Sequence, residues 1–407
     1  MNFIKLTFPV MIALAYAPAH AVSAGASGVD QTRNLGASVV SGLGYTTVFS
    51  YTASTMGASS TVYGGYFSGG VITTAASGTV TGNFTSVGAT NVGASATVNG
   101  SLLSGGVMTI GDTGSVIGNV TSSGAGTLGA NGYIGGFMRS GGVVTVGATA
   151  TVKGAVTGPA EPVISASATA PIARVAVGSD VVPASLTGDL TAKTGAGGQR
   201  ISSAQNALSA LTTTTTLAAT QITDRTFTAG VYQAASWTTT AGITLTLDAQ
   251  KQDNAAFIFN FADIFSTGAS TKIYLINAGQ NNSVIWNAYA GYAQLGASTD
   301  LIGTVLANTY IEVGASSHLT GTHGACGGAY SATSYVHGGA SAVFGGIGCA
   351  ASGDVSAYAT PSKLAVVELP DEEAMPVAAV PEPQTYALLL AGLASMAFAA
   401  RRRNSAV

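Results

Sequence analysis

Residues 93–110 read GASATVNGSLLSGGVMTI and residues 111–128 read GDTGSVIGNVTSSGAGTL. Set one above the other, they agree in kind: Gly93 over Gly111, Val98 over Val116, Gly100 over Gly118, Leu102 over Val120, Ile110 over Leu128. The pattern extends from Ser54 to Gly158 in six copies of 18 residues without an insertion. Glycine recurs at Gly57, Gly93, Gly111, Gly129 and Gly147, with Ala75 in the one gap, and again at Gly64, Gly82, Gly100, Gly118, Gly136 and Gly154. Apolar series keep the same phase: Val62, Val80, Val98, Val116, Ile134, Val152, and Tyr66, Phe84, Leu102, Val120, Met138, Val156.

A fixed period of this length marks a stack of coils, because each coil buries its apolar side only against its neighbours. Three short strands per coil are expected, with the apolar series stacked inside at a spacing of ~4.8 Å. The glycines are read as corner residues, where positive φ or close packing is needed. Alternation then points the neighbours outward, as ladders Thr55, Thr73, Asn91, Thr109, Thr127, Thr145 and Thr61, Thr79, Thr97, Ser115, Tyr133, Thr151. Threonine suits any strand surface. A regular hydroxyl array could also bind a repetitive surface, and both readings stand at this point.

Composition agrees with such a fold. The 407 residues include 55 glycines and 47% hydrophobic residues, with only 8% charged, against an ordinary ~25%. The net charge of −3 supplies no basic stripe, so nucleic acid is not an expected partner.

The ends concern destination. Lys5, the apolar Leu6–Tyr16 and Ala19-His20-Ala21 form a signal peptide over 1–21. At the other end, Pro381-Glu382-Pro383 precedes an apolar run, 386–400, and then Arg401, Arg402 and Arg403. As residues, these read as a membrane-length segment stopped by positive charge. Their order resembles the PEP-CTERM sorting signal of Gram-negative bacteria that make exopolysaccharide. That resemblance implies an exosortase-type partner, transient membrane anchoring and a destination at the cell surface or extracellular matrix. A plain C-terminal anchor is the alternative. Cys326 and Cys349 are read as a disulfide in an oxidising compartment, or else as two buried thiols.

After Pro159 the period lapses. ISSAQNALSAL, residues 201–211, places Ile201, Ala204, Leu208 and Leu211 on one helical face. Then follow Thr226–Tyr232 (TFTAGVY), Leu245–Gln250 (LTLDAQ), Ala256–Phe259 (AFIF), Leu275–Asn277 (LIN), Val284–Trp286 (VIW) and Leu301–Ala307 (LIGTVLA). In order and spacing these resemble the bacterial and fungal ice-binding protein family over roughly residues 175–345. The resemblance implies a right-handed β-solenoid with one long helix alongside. The N-terminal coils depart from that family and look more like bactofilin-type or hexapeptide β-helices. Yet Gly-Ala-Ser-x-x-apolar-x-Gly occurs at 57–64 and 93–100 and again at 296–303 and 314–321, so both halves share one coil grammar. They form either one long solenoid or two stacked ones.

The expected fold is all-β: a right-handed β-helix with 18-residue coils and one flanking α-helix. The expected organisation is a signal peptide 1–21, an N-terminal β-helix 22–158 and a connection 159–200. An ice-binding-like solenoid 201–350 with helix 201–211 follows, then a Pro/acidic linker 351–379 and the sorting signal 380–407.

Three function classes compete. The first is binding to ice, or another repeating extracellular surface, through a rigid Thr-rich face. Its candidates are Thr55, Thr73, Thr109, Thr127 and Thr145, with Thr61, Thr79 and Thr97, and the pair Thr244 and Thr246. Thr271, Thr299 and Ser317 form a possible further ladder, beside the charges Lys272, Asp300 and His318. The second is a structural or adhesive role in a polysaccharide matrix, for which Tyr63, Tyr133 and Phe137 would offer rings, with self-association through open solenoid ends. The third is catalysis, for which Asp300 and Glu312 read as isolated carboxylates. His323, Cys326, His337 and Cys349 fit no zinc spacing. The expectation is a protein with no cofactor and no metal that is not an enzyme.

Overall fold

The computed structural model describes residues 40, 45–178, 181–322 and 327–346. The signal peptide, the sorting segment with its Pro-Glu-Pro and arginines, His323 and both cysteines lie outside these residues. Among the described residues the chain forms three parallel sheets of 14, 13 and 12 strands, here A, B and C, and one helix, α1 (Leu186–Ser209).

Each N-terminal coil contributes one short strand to each sheet. Val80, Val98, Val116, Ile134 and Val152 are paired in register along sheet C, and all are 0–1% exposed. Tyr66, Phe84, Leu102, Val120 and Met138 do the same inside sheet A. The repeat works because identical phase puts identical shapes above one another, so the apolar ladder fills the interior coil by coil.

The corners are made differently from the sequence expectation. At the turn between sheets B and C, positive φ falls on Ser59, Ser77, Ser95, Thr113, Asn131 and Thr149, at 56–58°. The glycines two residues earlier do not have it. Gly93 is required by close approach instead, since a Cβ there would lie 2.5 Å from the Ala75 carbonyl carbon of the neighbouring coil. Only Gly64 of the second glycine series turns with positive φ, at 110°. A further 18-residue series, not singled out in the sequence, lies inside the corner between A and B. Ser68, Ser86, Ser104, Ser122 and Ser140 are buried there, and their hydroxyls satisfy turn carbonyls such as Gly88 O and Gly124 O.

The stretch expected as a connection, 159–200, is mostly ordered coil and helix. Val163–Ile164 adds a strand to sheet B and Ile172–Val175 one to sheet A. Helix α1 starts at Leu186, 15 residues before the expected Ile201, and ends at Ser209 rather than Leu211. Its stretch 186–198 contains Gly188, Gly195, Gly197 and Gly198 with three threonines, residues of weak helix propensity. Packing overrides that propensity: a Cβ on Gly198 would meet the Ala332 carbonyl at 2.6 Å and the Tyr51 ring at 2.8 Å. Leu190, Ile201, Ala204 and Leu208 are buried with Phe49, Phe67, Ile258, Ile285, Leu306 and Tyr330 of the outer face of sheet A. Polar clamps complete the docking. Asn260 Nδ2 donates to Leu208 O at 2.7 Å, and Asn287 Nδ2 to Gln205 O at 3.1 Å.

The order of strands shows how the halves join. Sheet A runs from Thr215–Thr216 at one end through Gly328–Ser331, then Thr46–Ser50, and on to Ile172–Val175 at the other end. The chain therefore begins its coils in the middle of the stack and winds to one end. It returns along sheet A as α1, then winds from the opposite end back to the middle. Thr187 Oγ1 bonds Gly105 O near the start of α1, and Asn260 receives its last turn. Those strands are seven steps apart, about 34 Å at strand spacing, and 24 helical residues span about 36 Å.

At the mid-stack seam, Val48 pairs with Ala329, Thr55 with His337 and Val62 with Phe344. The stack is thus one continuous solenoid. Its C-terminal coils are larger, with Phe259 opposite Trp286, and the added width is filled by stacked rings of Trp237, Phe259, Phe261, Phe265 and Trp286.

Candidate functional site: two outer faces of the solenoid

The candidate threonines do not share one face. Thr55, Thr73, Thr109, Thr127 and Thr145 stand on the outside of sheet B in consecutive register with Asn91. Thr61, Thr79 and Thr97 continue through Ser115, Tyr133 and Thr151 on sheet C. Thr244 and Thr246 are also on sheet C, among the C-terminal coils.

On sheet B the Thr column has a column on each side. Two residues before it run Ala53, Val71, Ala89, Val107, Ala125 and Val143. Two residues after it run Gly57, Ala75, Gly93, Gly111, Gly129 and Gly147. Ladder hydrogen bonds tie both flanks into the sheet, as from Ile72 N to Ala89 O at 3.0 Å and from Gly129 N to Ile110 O at 2.8 Å. Val71, Val107 and Val143 are 42%, 50% and 55% exposed, which places them on the outer side. Positions along a strand are ~6.7 Å apart and coils ~4.8 Å apart, so six rows extend roughly 24 Å. No residue in these three columns is charged. The array is flat because every side chain in it is short, and stiff because each strand is paired on both sides.

Beyond the seam the same face changes character. The Thr column continues as His337, Glu312, Gln294, Ser266 and Thr238. Beside it the rings of Tyr292, Tyr310 and Tyr335 stack at 4.5 and 5.1 Å, and the His337 ring lies 4.1 Å from Tyr335. Glu312 accepts from Tyr335 OH at 3.1 Å and from Gln294 Nε2 at 2.9 Å. Burial, with the neighbouring Tyr292 and Glu312, pushes the Tyr310 hydroxyl up to about 12. Burial also lowers the His337 imidazole, against an opposing pull from Glu312. Bulk and charge make this part a poor continuation of the flat array.

Sheet C carries an ion ladder on its C-terminal coils. Lys272 Nζ lies 2.5 Å from Asp300 Oδ2, and His318 Nδ1 lies 2.7 Å from Asp300 Oδ1. Asp300 is therefore not isolated. Partial burial pulls its carboxyl up, but hydrogen bonds and charge from Lys272 and His318 outweigh that and hold it below its usual value. Thr271, Thr299 and Ser317 are not surface residues at all. Each is 0% exposed, and they bond inside the corner, Thr239 to Thr271 at 3.0 Å and Thr267 to Thr299 at 3.1 Å. The sequence misplaced them because Gly-Ala-Ser marks the turn itself, and the residue after it points inward. Tyr63, Tyr133 and Phe137 are half-buried, with the Arg139 guanidinium 4.7 Å over the Phe137 ring.

Asp300 and Glu312 stand on different sheets, so they form no acid–base pair across one face. Among the described residues no cluster of three or more His, Cys, Asp or Glu is arranged to hold a metal. No helix there is long and apolar enough to cross a membrane, and the 386–400 run lies outside them.

These features define a class: a parallel β-solenoid with a helix on its flank, whose outer faces are regular surfaces. Within that class, residues 140–337 match the ice-binding-like family, so the chain carries an ice-binding-like domain, and residues 379–403 match the PEP-CTERM protein-sorting motif. The family match begins at 140, ahead of the expected 175, and takes in the last N-terminal coils. Ice-binding protein 1 of Shewanella frigidimarina (strain NCIMB 400) is 34% identical over 97 residues, 24% of this chain and 11% of that protein's length. Among solved structures, an ice-binding protein from the Antarctic ascomycete Antarctomyces psychrotrophicus aligns at 23% identity and TM-score 0.32, over 56% of this chain and 92% of its own. A glycosylated ice-binding protein from an Arctic yeast aligns at 16% and 0.31, over 51% and 88%.

Proposed function

We infer that the protein is an exported, non-enzymatic surface binder whose ligand is ice, held by the outer face of sheet B on the N-terminal coils. The observation that carries this is the uncharged three-column array from Ala53 to Gly147. Each hydroxyl and methyl contributes little alone, so a rigid face must engage many contacts at once, with no ordering cost at binding. The PEP-CTERM match supports export and sorting by exosortase-type machinery, to the surface or matrix of a Gram-negative cell.

The test is thermal hysteresis and ice recrystallisation inhibition with Thr73→Tyr, Thr109→Tyr and Thr127→Tyr combined. These changes abolish activity, whereas Thr79→Tyr with Thr97→Tyr on sheet C leaves it. A folded protein with no ice activity before any substitution would overturn the reading and leave a matrix scaffold or adhesive protein in its place.

A further inference from the structure

The two ends of the solenoid are finished differently. At the end built by the C-terminal half, the outermost strands are Thr215–Thr216, Thr220–Gln221 and Arg225–Thr228. Their edge residues are mostly polar, with Ile222 the exception at 67% exposed, and the core behind them is closed. Leu217 and Phe227 are 6% and 2% exposed, and the Arg225 guanidinium sits 4.7 Å over the Phe227 ring. A polar outer face over a closed core is how a coil stack ends in water.

The opposite end lacks that finish. Its last coil is Val163–Ile164 on sheet B, Thr169 bridged to Thr151 on sheet C, and Ile172–Val175 on sheet A. Among the described residues, no strand pairs with the outer edges of these segments. The interior ladders run out into solvent here. Ala173, paired with the fully buried Val156, is exposed, and Ile164, Ala168 and Ala170 are only partly covered. Val163, Ile172, Val175 and Val177 are 47–61% exposed around it. This is an open core ringed by strand edges, the combination that favours another chain.

We propose that this end is closed by the same end of a second copy, giving a head-to-head dimer. Three unpaired edges around a three-sided core are matched all at once only by a coil of this same cross-section. The seam shows that coil ends far apart in sequence stack edge to edge, there with parallel strands, so the contact between copies shares its matched cross-section and differs in pairing sense. The other end, its core closed under Leu217 and Phe227, presents Ile222 as its exposed large apolar side chain beside Thr215, Gln221 and Arg225. It so offers less apolar surface to the open core than a second open end does, and head-to-tail growth is disfavoured. A two-fold axis pairs apolar end with apolar end, sets the edge strands antiparallel and closes the assembly at two.

The test places p-benzoylphenylalanine at position 172 of the full chain, and separately at position 216, in mixed light and heavy isotope preparations. Irradiation is followed by peptide mapping. The proposal expects mixed-isotope adducts from position 172 into residues 163–177, and none from position 216. It also expects a particle of twice the chain mass, reduced to one by Ile172→Lys with Val175→Lys without change in the circular dichroism spectrum. Adducts from position 172 into residues 22–44 or 347–379 of the same chain would mean that the chain caps itself. Adducts into 215–228 of another copy would mean head-to-tail growth. Either result, no adduct, or a double-lysine variant that stays dimeric overturns the proposal. None of these outcomes depends on ice activity.

Discussion

Thr55 and His337 are neighbours on adjacent strands of sheet B, although both windings of the solenoid lie between them along the chain. One residue back, the Ser54 hydroxyl donates to the Val336 carbonyl, 282 positions away. The seam they mark is as dry as any other step in the stack: Met56, Val62 and Phe344 are at most 1% exposed. The two halves are therefore expected to melt as one unit. Phe344→Ala, which opens a cavity at the seam, should cost about 3–5 kcal/mol. Thermal unfolding followed by circular dichroism would show one transition for the parent and a lower or divided one for the variant.

The strict period makes a coil removable. Deleting residues 101–118 joins Gly100 to Asn119 and restores every ladder one step shorter. Deleting 101–109 instead, half a period, removes the sheet A strand Leu102–Ser104 and most of the sheet B strand Met108–Ile110. It brings a sheet C strand up where sheet A belongs, so the ladders no longer match. The first variant should be soluble and β-rich with diminished ice activity, because one row of the array is gone. The second should aggregate or fail to fold. Recovery of both as soluble protein would contradict the coil assignment.

Helix α1 seats where Gly198 lets it approach Ala332 and Tyr51. Gly198→Leu should lower stability by about 1–3 kcal/mol through overpacking. The partly buried Gly195, with nothing within 4 Å of an added Cβ, should tolerate alanine and gain slightly from better helix propensity. Denaturant midpoints for the two variants separate packing from propensity.

Acid sensitivity has a named contributor. The Asp300 carboxyl is depressed below its ordinary 3.8 in the folded chain. Its contribution is therefore present above that value and is lost as pH falls through the lower, folded one. Asp300→Asn removes this dependence: the parent should be the more stable at neutral pH, and the gap should close below about pH 4. With all three side chains partly exposed, the difference should stay under about 1 kcal/mol. A gap constant with pH in equilibrium unfolding would assign the effect to packing.

Much of the architecture is legible in the sequence because a solenoid writes its packing as a period. The Val62–Val152 and Tyr66–Val156 ladders were readable as buried columns from spacing alone. Phase within a coil does not say where corners fall, however, so two Thr series on different sheets read as one set, and Thr271, Thr299 and Ser317 were placed outside. The first half of α1 was hidden because its Gly and Thr residues serve a close helix–sheet contact at the expense of propensity. The seam left one trace, Gly339-Ala340-Ser341-Ala342-Val343-Phe344-Gly345, a corner one residue shorter than the others that now stacks on 57–64.

Because the coils begin and end at the seam, Tyr45 and Gly346 sit at the waist of the rod, while its two tips are built from the interior of the sequence. Lengthening such a molecule requires no change at either terminus. Duplicating an 18-residue unit between Ser54 and Gly158 pushes one tip outward, adds one coil step to the return that leads into α1, and leaves the waist and the C-terminal coils where they were. Array size and attachment point can thus vary independently, a modularity that a solenoid wound from one end to the other does not have.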